Sequence, residues 1–225
     1  MPDTKPLAEK DNIVYDRQIR IFGHTGQKAL IGATCLIFGS DSIEFEIAKN
    51  LVCLGPSVKI FSLGEKVEPY DQLIFMNADY SMSKGELLMM WLNRIGTDEK
   101  ASLYEPKQPV ADCFSVIIFS VNNFLKYTSE IHSLIQNGSK TKCVTYYRRG
   151  SDIYICYFPV LLKSTIEEIS QIRDPDLLCD LYVEEAAIIG GLVCQYIQNA
   201  IINDTYIKKT NLRYNMDNQC VKDIS

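Results

Sequence analysis

Between Thr34 and Ser62 the sequence carries the pattern of two parallel strands. The apolar runs Thr34 to Phe38 and Val58 to Ser62 enclose a stretch in which Ile43, Ile47, Ala48, Leu51 and Leu54 recur at helical spacing, ended by Gly55 and Pro56. Strand, turn, helix and strand within about 30 residues make a βαβ unit, with a right-handed crossover by default. The alternation continues. A short helix is expected from Val14 through Tyr15, Ile19 and Phe22, then a turn at Gly23 and Gly26 and a second short helix through Ala29 and Leu30. Further on come a helix from Lys84 to Arg94, a weak strand near Ser102, a strong strand from Ser115 to Val121 and a helix from Asn123 to Gln136. Cys143 to Tyr147 and Ile153 to Phe158 read as a hairpin pair. A polar region from Ser164 to Asp176 leads to a last helix, Glu184 to Ile202, and a closing strand near Leu212 to Met216. The expected fold is α/β and Rossmann-like, a mostly parallel sheet wrapped by helices. A polar arm over residues 1–13 precedes one domain over 14–225.

A chain of 225 residues with 47% hydrophobic content has enough material for a full core. Its 23 basic against 28 acidic residues give a net charge of −5, which argues against a protein that grips nucleic acid through phosphates. The longest unbroken apolar stretch, Ala186 to Cys194, is short of the roughly 20 residues that cross a bilayer, so no membrane partner is expected. Met1 to Lys10 has no apolar core of the signal-peptide kind, which points to a cytosolic or nuclear address. The eight cysteines include no C-x-x-C pair, and most lie in apolar runs as small hydrophobes. Neither a zinc site nor a disulfide framework is expected.

An open α/β sheet holds nucleotide phosphates where its first strand turns into its first helix, because glycines there admit the phosphates to the helix N-terminus. Here that turn reads Gly39-Ser40-Asp41-Ser42-Ile43-Glu44. Gly39 survives, Asp41 stands at the second glycine position and Glu44 at the third, and two carboxylates there repel phosphates. The acid that should end the second strand and hold the ribose is missing too, with Glu65 the nearest carboxylate. Asp41 or Ser42 is expected to cap the helix, and this chain to hold no nucleotide and no metal.

The block Tyr15-Asp16-Arg17-Gln18-Ile19-Arg20-Ile21-Phe22-Gly23, followed by Gly26-Gln27 and Cys35 to Gly39, resembles the adenylation domains (ThiF/MoeB-like) that activate ubiquitin-like modifiers. Glu46 to Val52 extends the resemblance, and Ala186-Ala187-Ile188-Ile189-Gly190-Gly191, continuing through Gln195 and Asn199 to Asn211, looks like that family's last helix and final strand. These domains work in pairs, one competent and one degenerate. The ruined loop resembles the degenerate, accessory half, most closely the Aos-type subunit of the SUMO-activating enzyme. The corresponding subunit for the Nedd/Rub-type modifier is the alternative, and an interaction module that has taken another partner is a third reading. A departure is the short connection, about 25 residues, between Phe158 and Glu184, where accessory subunits hold a long insert.

The resemblance implies a heterodimer with a catalytic Uba-type subunit, which binds ATP and Mg. It implies a ubiquitin-like modifier, SUMO first, as the second partner, and the nucleus, or the cytoplasm beside it, as the location. It assigns one catalytic contribution to this chain: Arg17, supplied in trans to the partner's ATP. A guanidinium suits that task, being always charged and matching phosphate oxygens with a planar fork. Arg20 is expected to anchor its segment to a neighbouring acid, and Lys84, near a position that is basic in competent relatives, to be solvated. His24 and His132 lack catalytic or metal partners at useful spacing, and no cysteine stands in the context of a thioester nucleophile.

Overall fold

The computed structural model describes residues 7–67, 81–96, 99–105, 114–135, 141–160, 163–172, 183–203 and 210–224. The described residues build one eight-stranded sheet in the order β3-β2-β1-β4-β5-β6-β7-β8. The strands are β1 (Thr34–Phe38), β2 (Ser57–Phe61), β3 (Ala101–Leu103), β4 (Val116–Ser120), β5 (Lys142–Arg149), β6 (Asp152–Phe158), β7 (Thr210–Asn215) and β8 (Cys220–Asp223). The first five run parallel, and β6, β7 and β8 extend them antiparallel. The sheet is mostly parallel, as the βαβ pattern requires.

Helices cover both faces. On one side lie α2 (Asp16–Ile31), α3 (Ser42–Leu54), α4 (Lys84–Ile95) and α8 (Val183–Ile202), packed over Ile37, Val58, Ile118 and Ile155. On the other, α5 (Val121–Lys126), α6 (Thr128–Ile135) and α7 (Lys163–Ser170) cover Leu36, Phe38, Ile117 and Phe119. The central strand β4 is buried at every residue, as expected of a parallel strand covered on both faces.

Four local readings change. Residues Glu9–Val14, inside the expected arm, form a helix, α1. The two short helices expected here are both present within α2, separated by a break at Gly23 (φ 69°, ψ 170°), but Gly26 is helical and buried rather than part of the turn. The single helix expected from Asn123 is two, because the fully buried Tyr127 leaves helical geometry between them, while the Thr128 hydroxyl donates to the Phe124 carbonyl at 2.7 Å. Residues 136–140 are outside the described set, so the end of that helix is not addressed. The polar region from Ser164 contains α7, which buries Ile166 and Ile169, one turn apart. β8 carries no apolar alternation that would announce it and is held by pairing with β7.

By length and composition α8 could cross a bilayer, although its unbroken apolar run is short. Its Ile189, Val193, Ile197 and Ala200 lie instead in the core of this domain. It crosses α3 at Gly190, where an added Cβ would stand 2.6 Å from Glu46 Cβ and 3.3 Å from backbone. The neighbouring Gly191 has nothing within 4 Å of the same position. Gly190→Ala should therefore destabilise the protein by about 1–3 kcal/mol through overpacking, outweighing the roughly 1 kcal/mol that alanine gains over glycine in a helix. Gly191→Ala, free of the clash, should be neutral or stabilising. Urea unfolding midpoints of the two variants check this; equal midpoints would remove the close approach as the reason for the glycine.

Candidate functional site

The strand order reverses direction at β1, so the crevice between the carboxyl ends of β1 and β4 is where an open α/β sheet takes a ligand. Three side chains converge there. Glu44, in the first turn of α3, is only 3% exposed. Its Oε1 accepts from Asn123 Nδ2 at 2.8 Å and from the Tyr146 hydroxyl at 2.5 Å. The Asn123 amide also donates to the Phe38 carbonyl at 2.9 Å, tying the end of β1 to α5. Ser120 sets Asn123 in place by accepting its backbone N–H at 3.0 Å, an N-cap at the end of β4. Gly39 takes φ 108°, and a Cβ added to it would collide with the Asn123 amide. The surviving glycine thus makes room for the chain's own asparagine.

Electrostatics follow from the burial. Desolvation pushes the Glu44 carboxyl up to about 7, with the Asp41 carboxylate adding to the shift and the Tyr146 hydrogen bond opposing it. Burial and the nearby Glu44 carry the Tyr146 hydroxyl well above its ordinary value.

The two neighbouring acids are also occupied. Asp41 is the N-cap residue of α3 but makes no side-chain cap; it pairs with Lys84 Nζ at 3.2 Å. Lys84 is not solvated. It is 7% exposed in the first turn of α4, whose start is fixed by a capping box between Ser83 and Glu86. At the end of β2, Glu65 accepts hydrogen bonds from Ser62, Lys126 and Tyr127. Burial alone would raise its carboxyl, but these three donors together hold it down at about 2. The carboxylate nearest the ribose position is thus engaged by the chain's own donors.

A triphosphate does not fit these residues. The phosphate position holds Glu44 and Asn123, Asp41 stands beside it, and Glu65 is engaged. Among the described residues no group of three His, Cys, Asp or Glu side chains could hold a metal ion. A cavity of about 390 Å³ lies at the opposite end of the sheet, against Ala33, Ser115 and Lys142 at the starts of β1, β4 and β5. No sequence motif pointed to Asn123, Tyr127, Lys126 or Tyr146. Polar groups ending or following apolar strands were the signal available.

Arg17 lies elsewhere. It is exposed, without an ion pair or hydrogen bond among the described residues, while Arg20 pairs with Asp16 at 2.8 Å as expected. Gln18 Nε2 donates to the Cys53 carbonyl at 2.9 Å, so Arg17 sits beside the C-terminal end of α3. The 13 residues of α3 span roughly 20 Å at about 1.5 Å each, which puts Arg17 out of reach of its own loop. Ile13 (73% exposed) and Ile21 (75% exposed) lie close to it in sequence on the same two helices. Of the cysteines, Cys35 is pushed up to about 12 by burial, and Cys143 and Cys194 are likewise raised. Cys53 and Cys220 are exposed, Cys53 despite its apolar neighbourhood in sequence. Cys113 and Cys179 lie outside the described residues. His24 and His132 are exposed.

The fold matches that of ThiF/MoeB-like adenylation domains, here with the crevice filled by the chain's own side chains. The crystal structure of PaaA matches 98% of this chain and 75% of its own length with TM-score 0.70 at 15% identity. The Escherichia coli MccB structure with ATP matches 97% and 73% with TM-score 0.65 at 12% identity. No family profile matches the chain. Part of its sequence resembles subunits of NEDD8- and SUMO-activating enzymes. It is 39% identical over 67 residues to the NEDD8-activating enzyme E1 regulatory subunit of Caenorhabditis elegans, covering 29% of this chain and 12% of that protein. It is 38% identical over 65 residues to SUMO-activating enzyme subunit 1 of Rattus norvegicus, covering 29% and 19%. The matched stretch is thus a minor part of either relative's length.

Proposed function

We propose that this chain is the non-catalytic accessory subunit of a heterodimeric enzyme that activates a ubiquitin-like modifier. The observation that carries the reading is Arg17: charged, exposed, without a partner among the described residues, and about a helix length from a crevice this chain has closed. An arginine so placed is free to serve a site on another chain, and the exposed Ile13 and Ile21, close to it in sequence, suit burial against that chain. The catalytic partner would bind ATP and Mg. There the modifier's C-terminal carboxylate attacks the α-phosphorus, the bond to the bridging oxygen breaks, and acyl-adenylate and pyrophosphate form. Arg17 would meet the phosphates on which charge develops. Thioester formation follows on the partner.

The modifier is SUMO on this reading, with the NEDD8-type modifier as the alternative. The two relatives are almost equally similar over the matched stretch. Nuclear residence goes with the SUMO reading. The test is nucleotide binding. The purified chain should show no ATP binding at micromolar concentrations, whereas the complex obtained through a tag on it should bind ATP and catalyse modifier-dependent ATP–pyrophosphate exchange. Micromolar binding by the isolated chain, or an ATP-inert complex, would end the proposal.

A further inference from the structure

The last three backbone carbonyls of α3 and its cap are collected by three side chains from outside the helix. Gln18 Nε2 donates to Cys53 O at 2.9 Å, Gln27 Nε2 to Leu54 O at 2.9 Å and Lys100 Nζ to Gly55 O at 2.8 Å. Helix ends leave such carbonyls without intrahelical partners. The Tyr15 ring, 3% exposed, approaches the same end, 3.5 Å from where a Cβ on Gly55 would stand. Much of the block that carries the sequence resemblance therefore does one physical job: it docks the first turn of α2 onto the end of α3. Arg17 is the neighbour of one of these anchors and takes no part in the docking.

We infer that Gln18 is the positioning residue for Arg17, an inference that rests on the function proposed above. Gln27 is fully buried and holds the body of α2, so losing it disturbs the fold. Gln18 is only partly buried, and its Oε1 has no hydrogen-bond partner among the described residues. The Nε2 donation to Cys53 is its one polar tie. That tie fixes the first turn of α2, just beyond the Tyr15 junction with α1, and with it the direction in which the Arg17 guanidinium leaves the surface. An arginine that must meet phosphates on another chain is sensitive to this, because misplacement of about 1 Å costs on the order of a hundredfold in rate.

The experiment is modifier-dependent ATP–pyrophosphate exchange by the tagged complex, with Gln18→Glu, Gln18→Lys, Arg17→Ala and the double variant Gln18→Glu/Arg17→Ala. Glutamate keeps the shape but replaces the donor by a charge that the carbonyl end of α3 repels; lysine restores a donor that the same end favours. Gln18→Glu should lower exchange about ten- to a hundredfold with the complex intact, and Gln18→Lys should recover most of it. On the Arg17→Ala background Gln18→Glu should add little, since the group it positions is gone; a merely structural role would add its full effect there. If Arg17→Ala lowers exchange and Gln18→Glu does not, or if the two losses multiply, the positioning role is overturned and the proposed function stands. If Arg17→Ala itself leaves exchange unchanged, the role given to Arg17 and this inference fall together.

Discussion

Replacing Arg17 by alanine is expected to slow ATP–pyrophosphate exchange by the assembled pair about 100- to 1,000-fold. A contact that strengthens as charge develops on a leaving group is worth roughly 2.7–4 kcal/mol in a water-excluded site. Arg17 is a candidate for such a contact because its own chain leaves it unused: Asp16 is taken by Arg20, and the closed crevice lies at the far end of α3. Assembly should survive, since one side chain is a small part of an interface that obligate pairs build from 2,000 Å² or more. Arg17→Lys should restore only part of the rate, because an ammonium keeps the charge and loses the planar fork. Exchange unchanged in an intact Arg17→Ala complex returns the residue to an ordinary surface role.

The sheet was legible in the sequence because parallel strands buried on both faces are written as unbroken apolar runs, and Thr34 to Phe38 and Ser115 to Val121 are such runs. The loss of the phosphate loop was legible for a similar reason: a glycine pattern is local, so Asp41 and Glu44 could be read as misfits where they stand. Their actual partners could not, because those depend on tertiary contacts. Asn123 lies 79 residues from Glu44 and Tyr146 lies 102, and nothing local marks either as a hydrogen-bond donor to a carboxylate. Lys84 was misread on the same grounds. A lysine opening a helix usually reaches solvent, and only the approach of α4 to the start of α3 buries it against Asp41. α7 was missed because its apolar content is small: Ile166 and Ile169, buried, sit among lysine, serine and glutamate. Cys53 is exposed although its sequence neighbours are apolar, because apolar neighbours do not say which face of a helix a residue takes.

Stability should fall as pH rises from about 5 to 8, and Glu44→Gln should abolish most of that fall. Burial raises the folded-state Glu44 carboxyl from 4.5 to about 7, with Asp41 adding to it. Below pH 4.5 the group is protonated folded or unfolded, and no penalty arises. Between 4.5 and 7 the unfolded chain gives up its proton while the folded chain keeps it, so the unfolded state binds fewer protons and stability declines with pH. Above 7 both states are ionised and the loss is constant, on the order of 3 kcal/mol at about 1.4 kcal/mol per pH unit. Glu65 titrates in the opposite sense and in another window. Its folded carboxyl is held at about 2, so its contribution is present above 4.5 and disappears as pH falls through 2. The two effects therefore do not cancel between pH 5 and 8. The amide of Glu44→Gln must face backbone N–H groups of Asp41 and Glu44 that now favour the carboxylate, which adds an offset at every pH. That offset drops out when the variant's change in unfolding free energy from pH 5 to 8 is compared with the wild type's. Urea unfolding of both proteins across that range measures the comparison. Parallel curves would mean that Glu44 is ionised throughout and that the crevice holds a charge rather than a neutral acid.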